Sequence, residues 1–167
     1  MNIINDERLK VAQSELTSAL HNIFRKQVNE FCTLRNPHQY LIRVFEVICI
    51  LFDEKNISLI NGKRIARQPG FVNSLYQYNK EEMPTTKFKR LKKLFEDPRY
   101  QPSYFGDYKP AAAIMSFVVA LVKYVDTIRS ISGLYEACRS GNRDRVQQLL
   151  ATEDIDVNET AEVRIIE

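Results

Sequence analysis

The sequence predicts an all-α protein, and three observations point there. No segment alternates apolar and polar residues with the period of two that a half-buried strand shows. Apolar residues recur instead at spacings of three and four through most of the chain. Asn36-Pro37, Pro69-Gly70 and Lys109-Pro110 mark the joints between the periodic stretches. At 167 residues the chain is long enough for one compact domain plus an appendage.

The first periodic stretch predicts one long helix over residues 6–33. Leu9, Ala12, Leu16, Ala19 and Ile23 alternate spacings of three and four, as in a coiled-coil seam. Leu20, Phe24, Gln27 and Phe31 form an adjacent stripe. Pro37 pushes its predecessor out of the α region and suits the first turn of a new helix reaching residue 52. Its segment YLIRVFEVICILF is apolar nearly all round, which places it inside the domain. A polar connection follows, then a short helix over 59–68, a restart at FVNSLYQY and a helix within KEEMPTTKFKRLKKLFE. In that last helix Phe88, Leu91, Leu94 and Phe95 share one face, while Lys87, Lys89, Arg90, Lys92 and Lys93 occupy the rest. The loop DPRYQPSYFGDYKP leads to a final apolar helix over 110–130, in which Ala111, Ile114, Phe117, Val118 and Leu121 are available for the core.

Composition excludes several classes. The run PAAAIMSFVVALV is shorter than the ~20 residues a membrane helix needs, and Lys109 and Lys123 bracket it, so it reads as a core helix and no membrane partner is expected. The N-terminus MNIINDERLK lacks the basic-then-apolar order of a signal peptide. Cys32, Cys49 and Cys138 lie far apart in helix-like patterns, without metal spacing, and read as buried free thiols of a reducing compartment. The net charge of +3 is unevenly distributed, with a basic excess over 55–101 and an acidic excess after 131.

The order of these segments carries a resemblance. A coiled-coil-like helix ending at RNP is followed by RVFEVICILF and RQPGFVNSLYQYNKEEMP. Next come LKKLFEDPRYQPSYF, PAAA and FVVALVKYVDTI. The succession resembles the microtubule-binding domain at the tip of the dynein heavy-chain stalk, particularly the axonemal type, over residues 24–130. The resemblance implies a small helical bundle whose microtubule surface comes from the first apolar helix, the short helix after the RQPG turn and the start of the last helix. Departures from the family pattern begin after Ser130. Gly133 is expected to end the helix, which would leave the stalk without its second strand and make any binding constitutive rather than nucleotide-gated. The following GLYEACRSGNRDRVQQLLATEDIDVNE resembles an ankyrin repeat through Leu134, Ala137, Gly141, Val146, Leu149, Leu150, Asp156, Val157 and Asn158. The expected organisation is therefore a stalk helix over 1–34, a dynein-like helical domain over 35–131 and an ankyrin-type helix-turn-helix over 132–167. A repeat needs neighbours to bury its face, so this one reads as the start of an array or as a unit packed on the helical domain.

Catalysis finds no support. NGKR at residues 61–64 lacks the flanking residues of a phosphate-binding loop. His21 and His38 stand isolated from other ligand types, so neither metal nor cofactor is expected. The candidate microtubule-binding residues implied by the resemblance are Arg43, Lys55, Lys63, Arg67, Gln68, Lys109 and Ser116. Family members commonly place cations where this chain has Ile42, Asp107 and Ser116. The expected function is that of a non-motor cytoskeletal or ciliary adaptor that binds microtubules or tubulin and recruits a protein through the ankyrin part, in the cytoplasm, cytoskeleton or cilium. The alternatives are a protein-interaction scaffold that has lost microtubule binding, with a first helix free to dimerise, and nucleic-acid binding through the basic helix 87–93.

Overall fold

The computed structural model describes residues 7–106 and 108–152. They form α1 (Glu7–His21), α2 (Arg25–Thr33), α3 (Gln39–Leu51), α4 (Leu59–Arg67), α5 (Phe71–Tyr76), α6 (Thr85–Phe95), α7 (Lys109–Arg139) and α8 (Arg143–Thr152). Two short 3₁₀ turns, Pro98–Tyr100 and Pro102–Phe105, lie between α6 and α7. The described residues contain no strand, so the all-α reading holds.

The expected first helix is two. Asn22 and Ile23 donate their backbone N–H groups to Ala19 and Leu20 in a tight turn, and Phe24 is extended at φ −100°. The break turns the apolar stripe: Ile23 stays buried, whereas Phe24 is 56% exposed rather than part of the core. Ala12, Leu16, Ala19 and Leu20 are buried against α7, the element α1 packs on most extensively. Glu15 pairs with Lys123 at 2.7 Å, and Phe31 of α2 meets Tyr108, just before α7, at 5.6 Å between rings. The chain thus advances along α1 and α2 while α7 runs backward beside them, so the pair is antiparallel.

α7 corrects a second expectation. Gly133 lies within the helix and does not end it; α7 continues to Arg139. The chain after Ser130 therefore continues as helix, and α7 is the long helix that packs against α1. By length and composition α7 could cross a membrane. Ala111, Ile114, Phe117, Val118 and Leu121 are nonetheless all buried in the protein core, as the sequence suggested. The helix stops at Gly141, which adopts the left-handed φ of 68°. There Asn142 donates to the carbonyl of Ala137 and Gly141 to that of Cys138, satisfying carbonyls that a helix end leaves open. The Asn142 side chain then accepts from the N–H of Arg145 and caps α8, which folds back on α7. The helix-turn-helix exists, but its first helix is the end of α7. Its Leu134 and Ala137 are buried, and Val146, Leu149 and Leu150 are half-buried. Asp156, Val157 and Asn158 lie outside the described residues, as do Asp107 and the chain before Glu7.

The core centres on α3. Val44, Phe45, Val47, Ile48 and Cys49 have essentially no exposed surface, and Phe45 stacks on Phe31 at 4.4 Å. Each large side chain so buried contributes about 1.5–3 kcal/mol of transfer free energy. α4 comes unusually close to α3 at Gly62. A Cβ built there would stand 2.5 Å from the Cβ of Phe45 and 2.7 Å from its carbonyl oxygen, so only glycine permits this approach. Phe71, Leu75, Phe88, Leu91 and Phe105 complete the core, while Leu94 and Tyr100 are half-buried at its edge. Cys32 and Cys49 are buried, but Cys138 is exposed on the end of α7.

Candidate functional site

The sequence-derived cations fall into two groups, those held by backbone and those left outward. Lys63 and Arg67 belong to the first. Lys63 donates to the carbonyl of Leu34 and lies over the Phe45 ring at 5.9 Å; Arg67 donates to the carbonyl of Cys32 at 2.8 Å. Both therefore cap the C-terminus of α2, where open carbonyls attract cations. Arg25 reciprocates, donating at 3.1 and 2.8 Å to the carbonyls of Ala66 and Arg67 at the C-terminus of α4. Burial, and secondarily the charge of Arg67, holds the Lys63 ammonium below its ordinary pKa. Burial also raises the nearby Cys32 thiol, although the surrounding cations oppose the shift. Lys63 and Arg67 thus act first as a clasp between α2 and α4.

Arg43 lies on the outer face of α3 with Ile42 and Glu46. Its guanidinium stands 5.8 Å from the ring centroids of both Tyr100 and Tyr104, inside cation–π range. Tyr100 is fixed in turn by donating to Glu46 at 2.9 Å. The loop 96–106 therefore orients the arginine. Lys109 is exposed in the first turn of α7, where no acidic residue is present. A cation is unfavourable at that end of the helix dipole, so helix stability does not account for it. Ser116 is half-buried two turns farther on, on the same side as Ala112 and Ala113. Gln68 is exposed as the residue that ends α4. Lys55 is exposed beyond the C-terminus of α3, whose end lies about 12 Å along the helix from Arg43. The C-terminus of α2 and the start of α7, joined by the Phe31–Tyr108 contact, thus bring Lys63, Arg67 and Lys109 into one region. Lys55 stays apart from it.

The basic helix divides in the same way. Lys87 lies off the apolar face of the sequence pattern, yet it is 8% exposed. It donates to the carbonyl of Leu51 at 2.9 Å, to Asp53 at 2.6 Å and to Tyr78 at 3.2 Å. Asp53 occupies the left-handed position after α3, at φ 56°, where glycine is usual. Glu54 donates to Cys49 and Asp53 to Ile50 in the matching hydrogen-bond pattern. Aspartate tolerates this backbone better than most residues and here also supplies a carboxylate for Lys87. Lys92 pairs with Asp126 of α7 at 2.7 Å. Lys89, Arg90 and Lys93 remain exposed.

Sequence reasoning missed Arg25, Glu46 and Tyr100. The partners of Arg25 are more than forty positions away, so nothing local marks it. Gly62 carried a signal, since a glycine inside a helical pattern commonly has a packing reason.

No family profile matches the chain. The dynein-1-alpha heavy chain of the flagellar inner arm I1 complex of Chlamydomonas reinhardtii is 24% identical over 113 residues, which are 66% of this chain and 2% of that protein. The solved microtubule-binding domain of dynein-c superposes with a TM-score of 0.63 at 23% identity, covering 72% of this chain and 89% of that one. The fold is that of a dynein microtubule-binding domain. The end of the bundle where the C-terminus of α2, the start of α3 and the start of α7 meet is its tip. Among the described residues no His, Cys, Asp and Glu cluster suited to a metal is present.

Proposed function

We propose that this chain binds microtubules through the tip of its helical bundle as part of a non-motor cytoskeletal or ciliary adaptor. The observation that carries this reading is the superposition on nearly all of a solved dynein microtubule-binding domain. The antiparallel pair of α1 and α7 leading from that tip is consistent with it. Arg43 and Lys109 are the principal contacts, since one is oriented by tyrosines and the other has no role in stabilising its helix. Lys55 adds charge from a separate position, while Gln68 and Ser116 contribute polar surface. Lys63 and Arg67 act chiefly by fixing α2 against α4.

The end of α7 with α8 is proposed as an ankyrin-type unit for protein recruitment, supported by the left-handed Gly141 turn and the buried Leu134 and Ala137. A second reading, a protein-interaction scaffold without microtubule binding, draws on one observation. Two of the expected cations are engaged by backbone, and Ile42 and Ser116 stand where relatives carry charge.

Microtubule co-sedimentation at low and moderate salt decides between them. The intact chain should pellet above background at low salt and less at moderate salt. Joint replacement Arg43→Glu and Lys109→Glu should lower the pelleted fraction several-fold. Pelleting at background even at low salt would establish the scaffold reading instead. Truncation after Arg139 should leave pelleting unchanged if recruitment and microtubule binding are separate.

A further inference from the structure

α6 commits two of its basic residues inward or sideways, Lys87 to the end of α3 and Lys92 to Asp126. The three that remain, Lys89, Arg90 and Lys93, are exposed, and their side chains make no ion pair or hydrogen bond among the described residues. Their positions, separated by one, three and four, place them within about one turn of the same solvent face. Like charges so close destabilise a helix in isolation; the helix dipole accounts for Lys93 in the last turn, but Lys89 and Arg90 lie upstream of it and have no such compensation. Their position on α6 also separates them from Lys109. Lys92 meets α7 at Asp126, and from Lys109 to Asp126 the helix rises about 25 Å.

The ridge has a selective chemistry. Phe88 and Leu91 are buried and Leu94 and Phe95 half-buried, which leaves no large apolar or aromatic side chain exposed beside the cations. Base stacking, which supplies much of single-strand binding, has no platform here. Insertion of apolar side chains into a lipid interface has none either. What remains is complementarity to closely spaced negative charge on a flexible chain. We propose that the solvent face of α6, through Lys89, Arg90 and Lys93, is a second docking surface that takes an extended, glutamate- or aspartate-rich polypeptide segment. This surface acts independently of the tip.

The test uses the full chain and a fluorescent deca-glutamate peptide, followed by anisotropy across a salt series. A single-stranded oligonucleotide and phosphatidylserine-containing vesicles run in parallel. Peptide binding at low salt should weaken about tenfold when Lys89→Gln, Arg90→Gln and Lys93→Gln are combined, given the modest worth of each exposed charge pair. Arg43→Glu should leave it unchanged, and the triple variant should still pellet with microtubules as the unaltered chain does. In the unaltered chain, peptide-induced NMR shift changes should centre on residues 85–96. Absence of peptide binding, equal binding by the triple variant, a footprint at the tip, or stronger binding of the oligonucleotide or vesicles would overturn the proposal.

Discussion

Replacing Lys87 with methionine removes an ammonium while keeping most of the stem that packs beside α3. The wild-type Nζ serves three acceptors at once: the Leu51 carbonyl, Asp53 and Tyr78. A hydrogen bond involving a charged group contributes about 1.5–3 kcal/mol. The ion-pair share is the smaller part, because Asp53 is 71% exposed and water screens it, limiting that share to about 1 kcal/mol. The Leu51 carbonyl, by contrast, keeps only a 3.4 Å bond from Tyr78 once the ammonium is gone. A total loss of about 2–3 kcal/mol follows, or roughly 5–10 °C in melting temperature for a chain of this size. Chemical and thermal denaturation followed by circular dichroism measure it. Asp53→Asn, which tolerates the left-handed backbone and removes only the exposed partner, should cost no more than about 1 kcal/mol. The reasoning fails if Lys87→Met lies within about 0.5 kcal/mol of wild type, or if Asp53→Asn costs as much as Lys87→Met. The pH dependence has a definite sign. Burial by itself pulls the Lys87 pKa down, but the hydrogen bonds to Asp53 and Tyr78 outweigh it, so the folded-state value lies above the ordinary 10.5. The stabilisation is therefore fully present below pH 10.5 and is lost only as the pH rises through the folded-state pKa.

Gly133→Ala should stabilise the protein by about 0.5–1 kcal/mol, because a Cβ there meets nothing within 4 Å and alanine is the better helix former. A loss of similar size would mean that the helix ends at this glycine after all. Gly62→Ala should act oppositely despite alanine's helix preference, costing about 1–3 kcal/mol as α4 is pushed off Phe45; an unchanged denaturation midpoint would contradict the close approach. The Asp97 carboxyl should titrate at about 2 by NMR, since it accepts hydrogen bonds from the side chain and backbone of Arg99. Arg99→Gln should move that midpoint back toward 3.8, and an unmoved midpoint would exclude the arginine as its cause.

Periodicity reported the elements whose apolar faces are wide and continuous. α3, α4, α5 and α6 could be placed from spacing and from Pro37, Pro69 and Gly70, because a breaker and a 3.6-residue repeat are local properties of the chain. Periodicity could not see the break at residues 22–24, since Ile23 and Phe24 both satisfy an apolar pattern and only one of them finds a neighbour to bury it. Nor could it decide Gly133. A glycine near the end of a pattern is compatible with a cap or with continuation, and the packing of α8 on α7 together with the turn at Gly141 selects continuation. The candidate site shows the same division. Residue type announced the cations of the tip and of α6, but Lys63, Arg67 and Lys87 were turned to carbonyls contributed by distant segments.

The sequence by itself determined the helical class, the order of the tip helices and the pool of basic residues from which a binding surface is drawn. All three follow from near-neighbour spacing and composition, which no folding partner is needed to reveal. Only the tertiary structure decided which helix pairs with α1 and which charges remain outward. Those outcomes depend on helix ends meeting side chains from about thirty to forty positions away, where an open carbonyl and a buried ammonium satisfy each other or leave a charge to the solvent.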